Sequence, residues 1–215
     1  MKLLPALLLD SYAAGNETVS PYAEAKRLLY STIYRGHRVT LYCGAFFDAD
    51  RSITLPPGFI IAAHEDRAYR AETEHIVVAE NFGRAFPKWR EGAPQCGGRR
   101  GRKCGETNEK YRFMEADLHN LAPAIGAVNA ARRNYRFGML PMADADWGSC
   151  AMKIRGRTAE PPDAAKGIMP RTYLYMVSQT EVLIGTLLRR GGPPVRPESF
   201  LPVCLPERIT DTESP

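Results

Sequence analysis

Two short segments carry side chains that could be assembled into phosphate-ester chemistry. The first, Glu72-Thr73-Glu74-His75-Ile76-Val77-Val78-Ala79-Glu80-Asn81-Phe82-Gly83, sets a carboxylate beside an imidazole and runs on into an apolar, strand-like stretch. The second, from Glu115 to Asn129, ends a predicted helix with an amide oxygen, that of Asn129. Glu74 is a suitable ligand for magnesium, which prefers oxygen and keeps several waters. His75 titrates near neutrality and can take a proton from an attacking water. Asn129 would add a ligand without adding charge. Arginine brings the planar, always-charged fork that suits phosphate oxygens, and Arg99 and Arg102 lie in a glycine-rich stretch that could swing onto a substrate. These are the parts that hydrolysis of a phosphodiester needs. Taken one at a time, each has a plainer reading: an exposed dipeptide, a helix-end amide bonding its own backbone, surface arginines. His119-Asn120 reads as a local turn or as a pair backing the site.

The elements that must position these groups are only partly periodic. Ser20-Pro21 reads as an N-cap with proline at the first helical position. Tyr22, Ala25, Leu29 and Ile33 then recur at helical spacing, so a helix is expected over 21–34. Alternation predicts a strand over 38–43, with shorter ones over 59–63 and 74–78. Residues 86–111 mix glycine, proline and charge without a period and read as a long irregular loop, a kind of segment that usually serves a function. Leu121, Ala124, Ile125 and Val128 fall at helical spacing, with Pro123 in the first turn. A last helix is expected over 171–188. One geometric difficulty stands out: in a regular strand Glu72 and Glu74 share one face and His75 takes the other. Glu74 and His75 can serve one phosphate only if the strand ends, twists or bulges there.

Length and charge narrow the classes. A chain of 215 residues can bury one substantial core, and no apolar run is long enough to span a membrane. The net charge is +5, yet residues 84–112 alone hold nine basic side chains against three glutamates, and Arg132, Arg133 and Arg136 follow. Such concentration favours a polyanion, nucleic acid being the commonest. Five cysteines lack zinc-ligand spacing. A Cys96–Cys104 disulfide would tie down the arginine loop, Cys43 and Cys150 form the expected second pair, and Cys204 stays unpaired. Residues 1–19 read as a degenerate export signal or a frayed terminus, residues 20–190 as one domain, and residues 191–215 as a Pro/Gly-rich tail.

In combination these segments resemble the bacterial endonuclease I family of periplasmic and secreted nucleases. The likeness runs through Ala25-Lys26-Arg27-Leu28-Leu29-Tyr30, Val39-Thr40-Leu41-Tyr42-Cys43-Gly44 and Glu74-His75-Ile76-Val77. It is strongest from Met114 to Asn129 and at Asn134-Tyr135, and resumes at Trp147-Gly148-Ser149-Cys150, at 157–162 and at 171–176. The resemblance implies an α+β fold, a single mixed α/β domain with a ββα-metal (His-Me finger) core. It also implies metal ligation by Glu74 and Asn129, His75 as general base, and Arg99 or Arg102 as the phosphate-holding arginine, with Arg99 preferred. The activity implied is magnesium-dependent, sequence-non-specific cleavage of DNA, and of RNA, to 5′-phosphate ends by a monomer without membrane contact; manganese or calcium could occupy the same site. Departures are visible: Thr73 where family members carry tryptophan, Val78 where they carry proline, Ala45 in place of a cysteine, and Ala130-Ala131-Arg132-Arg133 where Gly-Asp-Arg-Ser is usual. The alternatives are an inactive relative that binds nucleic acid through its basic surface, or an unrelated basic binding protein.

Overall fold

Ala25 and Leu29, spaced for one helical face, do bury together. In the computed structural model, which describes residues 15–178, α1 (Tyr22–Leu28) runs on into a π-helical turn over Leu29–Ile33. Its apolar face packs on Ala116 and Leu121. The cap position is Pro21 rather than Ser20, with no side-chain capping bond.

The strand expected over 38–43 does not form. Val39 makes only an isolated bridge to Phe46, and the Thr40 hydroxyl accepts from the Ala45 N–H at 2.9 Å. That local bond competes with a ladder and closes the turn that leads, through Gly44 at φ 62°, into the small hairpin β1 (Phe46–Phe47) and β2 (Ile53–Thr54). The strand expected over 59–63 is likewise reduced to one bridge, between Phe59 and Gly148.

β3 (Ala71–His75) starts earlier than the sequence predicts and stops at His75. α2 (Ala79–Gly83) follows. Residues 86–111 are not an irregular loop. They fold as α3 (Pro87–Glu91), a 3-10 turn over Pro94–Cys96, α4 (Arg102–Gly105) and the start of α5 (Glu109–Glu115), whose N-cap Asn108 accepts from the Tyr111 N–H. Pieces of one or two turns are too short to print a period on the sequence. Trp89, Tyr111 and the Cys96–Cys104 disulfide (Cα–Cα 5.4 Å) hold them together.

The helix expected from Leu121 is instead β4 (Leu121–Ile125) followed by α6 (Gly126–Arg132). All five β4 residues are buried, and a fully buried strand shows a continuous apolar run instead of alternation. Pro123 stands opposite Thr73 in the antiparallel pairing of β3 with β4, and its carbonyl accepts from the Leu41 N–H. β5 (Arg136–Phe137), β6 (Lys153–Arg155) and β7 (Thr158–Glu160) make a mixed sheet in the order β5-β7-β6, with β5 parallel to β7. α7 (Asp163–Lys166) and α8 (Ile168–Ser178) complete the described chain. Helices and three small sheets alternate along it, the α+β class expected.

The largest apolar cluster joins β3, β4 and α6 to Phe47, Trp147 and Met152, and a second one packs Phe82, Phe86 and Tyr111 around α2 and α5. The Cys43–Cys150 disulfide (Cα–Cα 5.1 Å) ties the turn before β1 to the approach to β6. Both expected bridges are therefore present. No helix among the described residues is long and apolar enough to cross a membrane. The tail over 191–215, Cys204, most of the N-terminal segment and the end of the last predicted helix lie outside the described residues.

Candidate active site

The geometric difficulty of Glu74 beside His75 is resolved by ending the strand. Ile76 N–H bonds the Asn120 carbonyl at 3.0 Å, and the buried Asn120 amide grips Val77 from both sides, its Oδ1 accepting from Val77 N–H and its Nδ2 donating to Val77 C=O. The chain therefore turns away directly after His75. Asn120 thus backs the site, a role that its polarity in an apolar stretch hints at. His119 stays exposed, stacked on Tyr175 and next to Asp117. Glu74 and His75 end up on the wall of one cleft with Tyr22, Asn129, Arg102, Arg132 and Arg133.

Glu74 is 3% exposed. Its Oε1 accepts from the Tyr42 hydroxyl at 2.6 Å and lies 3.0 Å from Nη1 of Arg132, so no hydrogen bond within the described residues engages Oε2. Burial raises the Glu74 pKa, opposed by the Arg132 charge and the Tyr42 bond. Arg132 is itself fully buried. Nη1 donates to the His75 carbonyl and Nη2 to the Ile76 carbonyl, at 2.9 and 2.7 Å, and the guanidinium lies 4.4 Å over the Phe137 ring. One side chain thus fixes the carboxylate and the backbone of the two residues after it. The basic cluster of the sequence counted Arg132 among residues facing a polyanion; the structure turns it inward. The flanking pair Ala130-Ala131 is the available signal, since Ala130 is buried with it.

His75 Nε2 lies 2.8 Å from the Glu115 carbonyl. A carbonyl only accepts, so Nε2 carries the proton and Nδ1 holds the lone pair of the neutral ring. Tyr22 flanks the imidazole with centroids 4.9 Å apart. Burial lowers the His75 pKa to about 3; the Glu115 carbonyl opposes this, while the charges of Arg102 and Arg132 add to it. The ring is neutral at neutral pH, with Nδ1 unprotonated.

Asn129 sits inside α6 rather than at its end. Its Nδ2 donates to Glu72 Oε2 at 3.0 Å, and Glu72 is in turn paired with Arg67. The amide nitrogen being tied back, Oδ1 is the atom left for the cleft. This close approach of α6 to β3 needs Gly126: a Cβ there would stand 2.4 Å from the Arg67 carbonyl oxygen and 2.9 Å from Glu72 Oε1. Two uncommitted oxygens on a carboxylate and an amide suit a hard cation that keeps water in its shell. Among the described residues no cluster of three or more His, Cys, Asp or Glu could hold a metal; Glu74 and Asn129 each line the cleft with an oxygen that could serve as a donor.

The two loop arginines part company. Arg102 opens α4 and lines the cleft, its Nε 3.0 Å from Oε1 of the buried Glu115, which Tyr111 also bonds. Arg99 is exposed in the preceding turn and is not among the residues lining the cleft.

Arginines, a buried carboxylate and a neutral imidazole meet in one cleft where two antiparallel strands run into a helix, in a protein of the α+β class. The chain belongs to the Endonuclease I family, whose model matches residues 33–187. Curated relatives include an Endonuclease-1 of Buchnera aphidicola (subsp. Acyrthosiphon pisum), 34% identical over 180 residues, covering 81% of this chain and 68% of the relative. An extracellular deoxyribonuclease of Aeromonas hydrophila is 36% identical over 180 residues, 80% of this chain and 74% of its own. A periplasmic deoxyribonuclease of the same organism is 36% identical over 155 residues, 68% and 62%.

Proposed function

We propose that the protein is a metal-dependent endonuclease that hydrolyses phosphodiester bonds of DNA, and of RNA, without reading sequence, leaving 5′-phosphate and 3′-hydroxyl ends. The observation that carries this reading is the convergence of Glu74, Asn129 and His75 on one arginine-lined cleft in a chain of the Endonuclease I family. On this reading β3, β4 and α6 are the ββα-metal core. Relatives named as deoxyribonucleases support DNA as substrate.

His75 accepts the proton of the attacking water at Nδ1, with Nε2 anchored on the Glu115 carbonyl. Glu74 Oε2 and Asn129 Oδ1 would hold magnesium, which when bound supplies charge neutralisation at the phosphoryl and leaving oxygens. Arg102, braced by Glu115, holds the phosphate; on position it is preferred to Arg99. Contacts fall on the nucleic-acid backbone, which accounts for a basic surface without base-reading motifs. The site asks nothing of a second subunit or a membrane, so a monomer is proposed. Two disulfides and relatives named as extracellular or periplasmic support export to an oxidising compartment.

The test is plasmid cleavage with magnesium, with chelator, and with His75→Ala. Cleavage is expected with magnesium alone, and His75→Ala should lose about 10²–10⁴-fold in rate while still binding DNA. Full cleavage in excess chelator, or an unimpaired His75→Ala, refutes the proposal.

A further inference from the structure

Of the three arginines lining the cleft, two are committed. Arg132 is buried on Glu74 and two carbonyls, and Arg102 is braced by Glu115. The third, Arg133, is exposed, and no hydrogen bond or ion pair within the described residues engages its guanidinium. Its backbone stands at φ 52°, ψ −130°, and the Tyr135 N–H bonds the Arg132 carbonyl at 3.1 Å across it. That is the conformation of the first central residue in a type II′ turn, a place that normally takes glycine. A long cationic side chain is thus held in a strained position on the cleft lining. Strain of this kind persists only where the surroundings enforce it, and it concentrates at functional sites.

We propose that Arg133 is a backbone-phosphate contact, gripping a strand phosphate where α6 ends at the cleft. The inference deepens the nuclease reading and rests on it for the identity of the polyanion. Chemically the ligand is a phosphodiester oxygen pair, for which a free guanidinium fork is complementary. Because the contact carries no base information, it adds affinity uniformly across sequences.

Two substitutions separate binding from structure. Arg133→Ser removes the guanidinium and leaves the positive φ in place, and Arg133→Gly removes the charge and the backbone strain together. Affinity for a labelled duplex of about 20 base pairs is measured in chelator, so that no cleavage intervenes, across a salt series and on two unrelated sequences. Both variants should bind about 5–10-fold more weakly at moderate salt on both duplexes. Each should lose about 0.9 from the slope of log affinity against log salt, the signature of one phosphate contact; Arg133→Lys should keep the slope. Thermal unfolding should show Arg133→Gly gaining about 2–4 °C, since glycine relieves a positive φ. Unchanged affinity and slope in a folded Arg133→Ser overturns the proposal, and so does an Arg133→Gly that loses stability along with binding. If the unaltered protein binds duplex with the predicted Arg133 dependence yet cleaves none with magnesium, the nuclease reading fails and this one stands.

Discussion

Replacing Arg132 with methionine keeps most of the side-chain volume and removes the cation that faces Glu74. The structure leaves little room for water to compensate, because Arg132 is 0% and the Glu74 side chain 3% exposed. Removing one partner of such a buried pair costs about 3–5 kcal/mol, since the other charge is left uncompensated. Here the carbonyls of His75 and Ile76 lose their donors as well, which places the expected cost in the upper part of that range. Against a typical stability of about 5–15 kcal/mol, and at about 2–4 °C per kcal/mol for a domain of this size, melting should fall by roughly 10 °C or more. The informative partner is the double variant Arg132→Met with Glu74→Gln, in which the stranded charge is gone and Tyr42 still has an oxygen to bond. Urea unfolding at pH 7 in chelator should show the double variant recovering about 2 kcal/mol or more relative to Arg132→Met. A single variant that costs less than about 1 kcal/mol, or a double variant no better than the single, would refute the view that Arg132 stabilises this fold by holding a buried carboxylate.

Two further outcomes follow from charge and covalent topology. The folded His75 pKa, about 3, lies below the ordinary imidazole value, so the unfolded chain binds the extra proton; stability contributed at pH 7 should drain away as pH falls from about 6.5 toward 3, by at most about 1.4 kcal/mol per pH unit. Urea unfolding between pH 6 and 4 should be flatter in His75→Asn, and parallel slopes would contradict the burial argument. With separations of 107 and 8 residues, loop entropy assigns about 4.8 kcal/mol to Cys43–Cys150 and about 2.6 kcal/mol to Cys96–Cys104. The paired-serine variants should therefore rank in that order by chemical denaturation, the reverse order counting against the entropic account.

The candidate site was legible as residue types and the fold only in outline. Glu74, His75 and Asn129 announce themselves by chemistry and by resemblance, and all three line the cleft. What brings them together is not local. Tyr42, Asn120 and Arg132 reach them across 32 to 57 positions of sequence, and no period or spacing records such contacts. Arg132 is the sharpest case, since an arginine beside two others reads as surface until its partners are seen. The helix over 21–34 was readable because half of it faces water. β4 was not, because a strand buried on both sides loses the alternation that identifies it. The turns of 86–111 escaped for the opposite reason, being too short to repeat. The strand expected over 38–43 gave way to Thr40, whose hydroxyl bonds the backbone in place of a neighbouring strand.

The two disulfides are nested, and this bears on survival in the presence of proteases. Arg99-Arg100 is an exposed basic pair of the sort that trypsin-like proteases cut. Any break there falls inside the ring closed by Cys96 and Cys104, which itself lies inside the larger ring closed by Cys43 and Cys150. A nicked molecule therefore releases no fragment: its ends stay bridged, Arg102 stays tethered two residues before Cys104, and β3, β4 and α6 remain within the outer ring. A single scission in this stretch is therefore covalently bridged in advance.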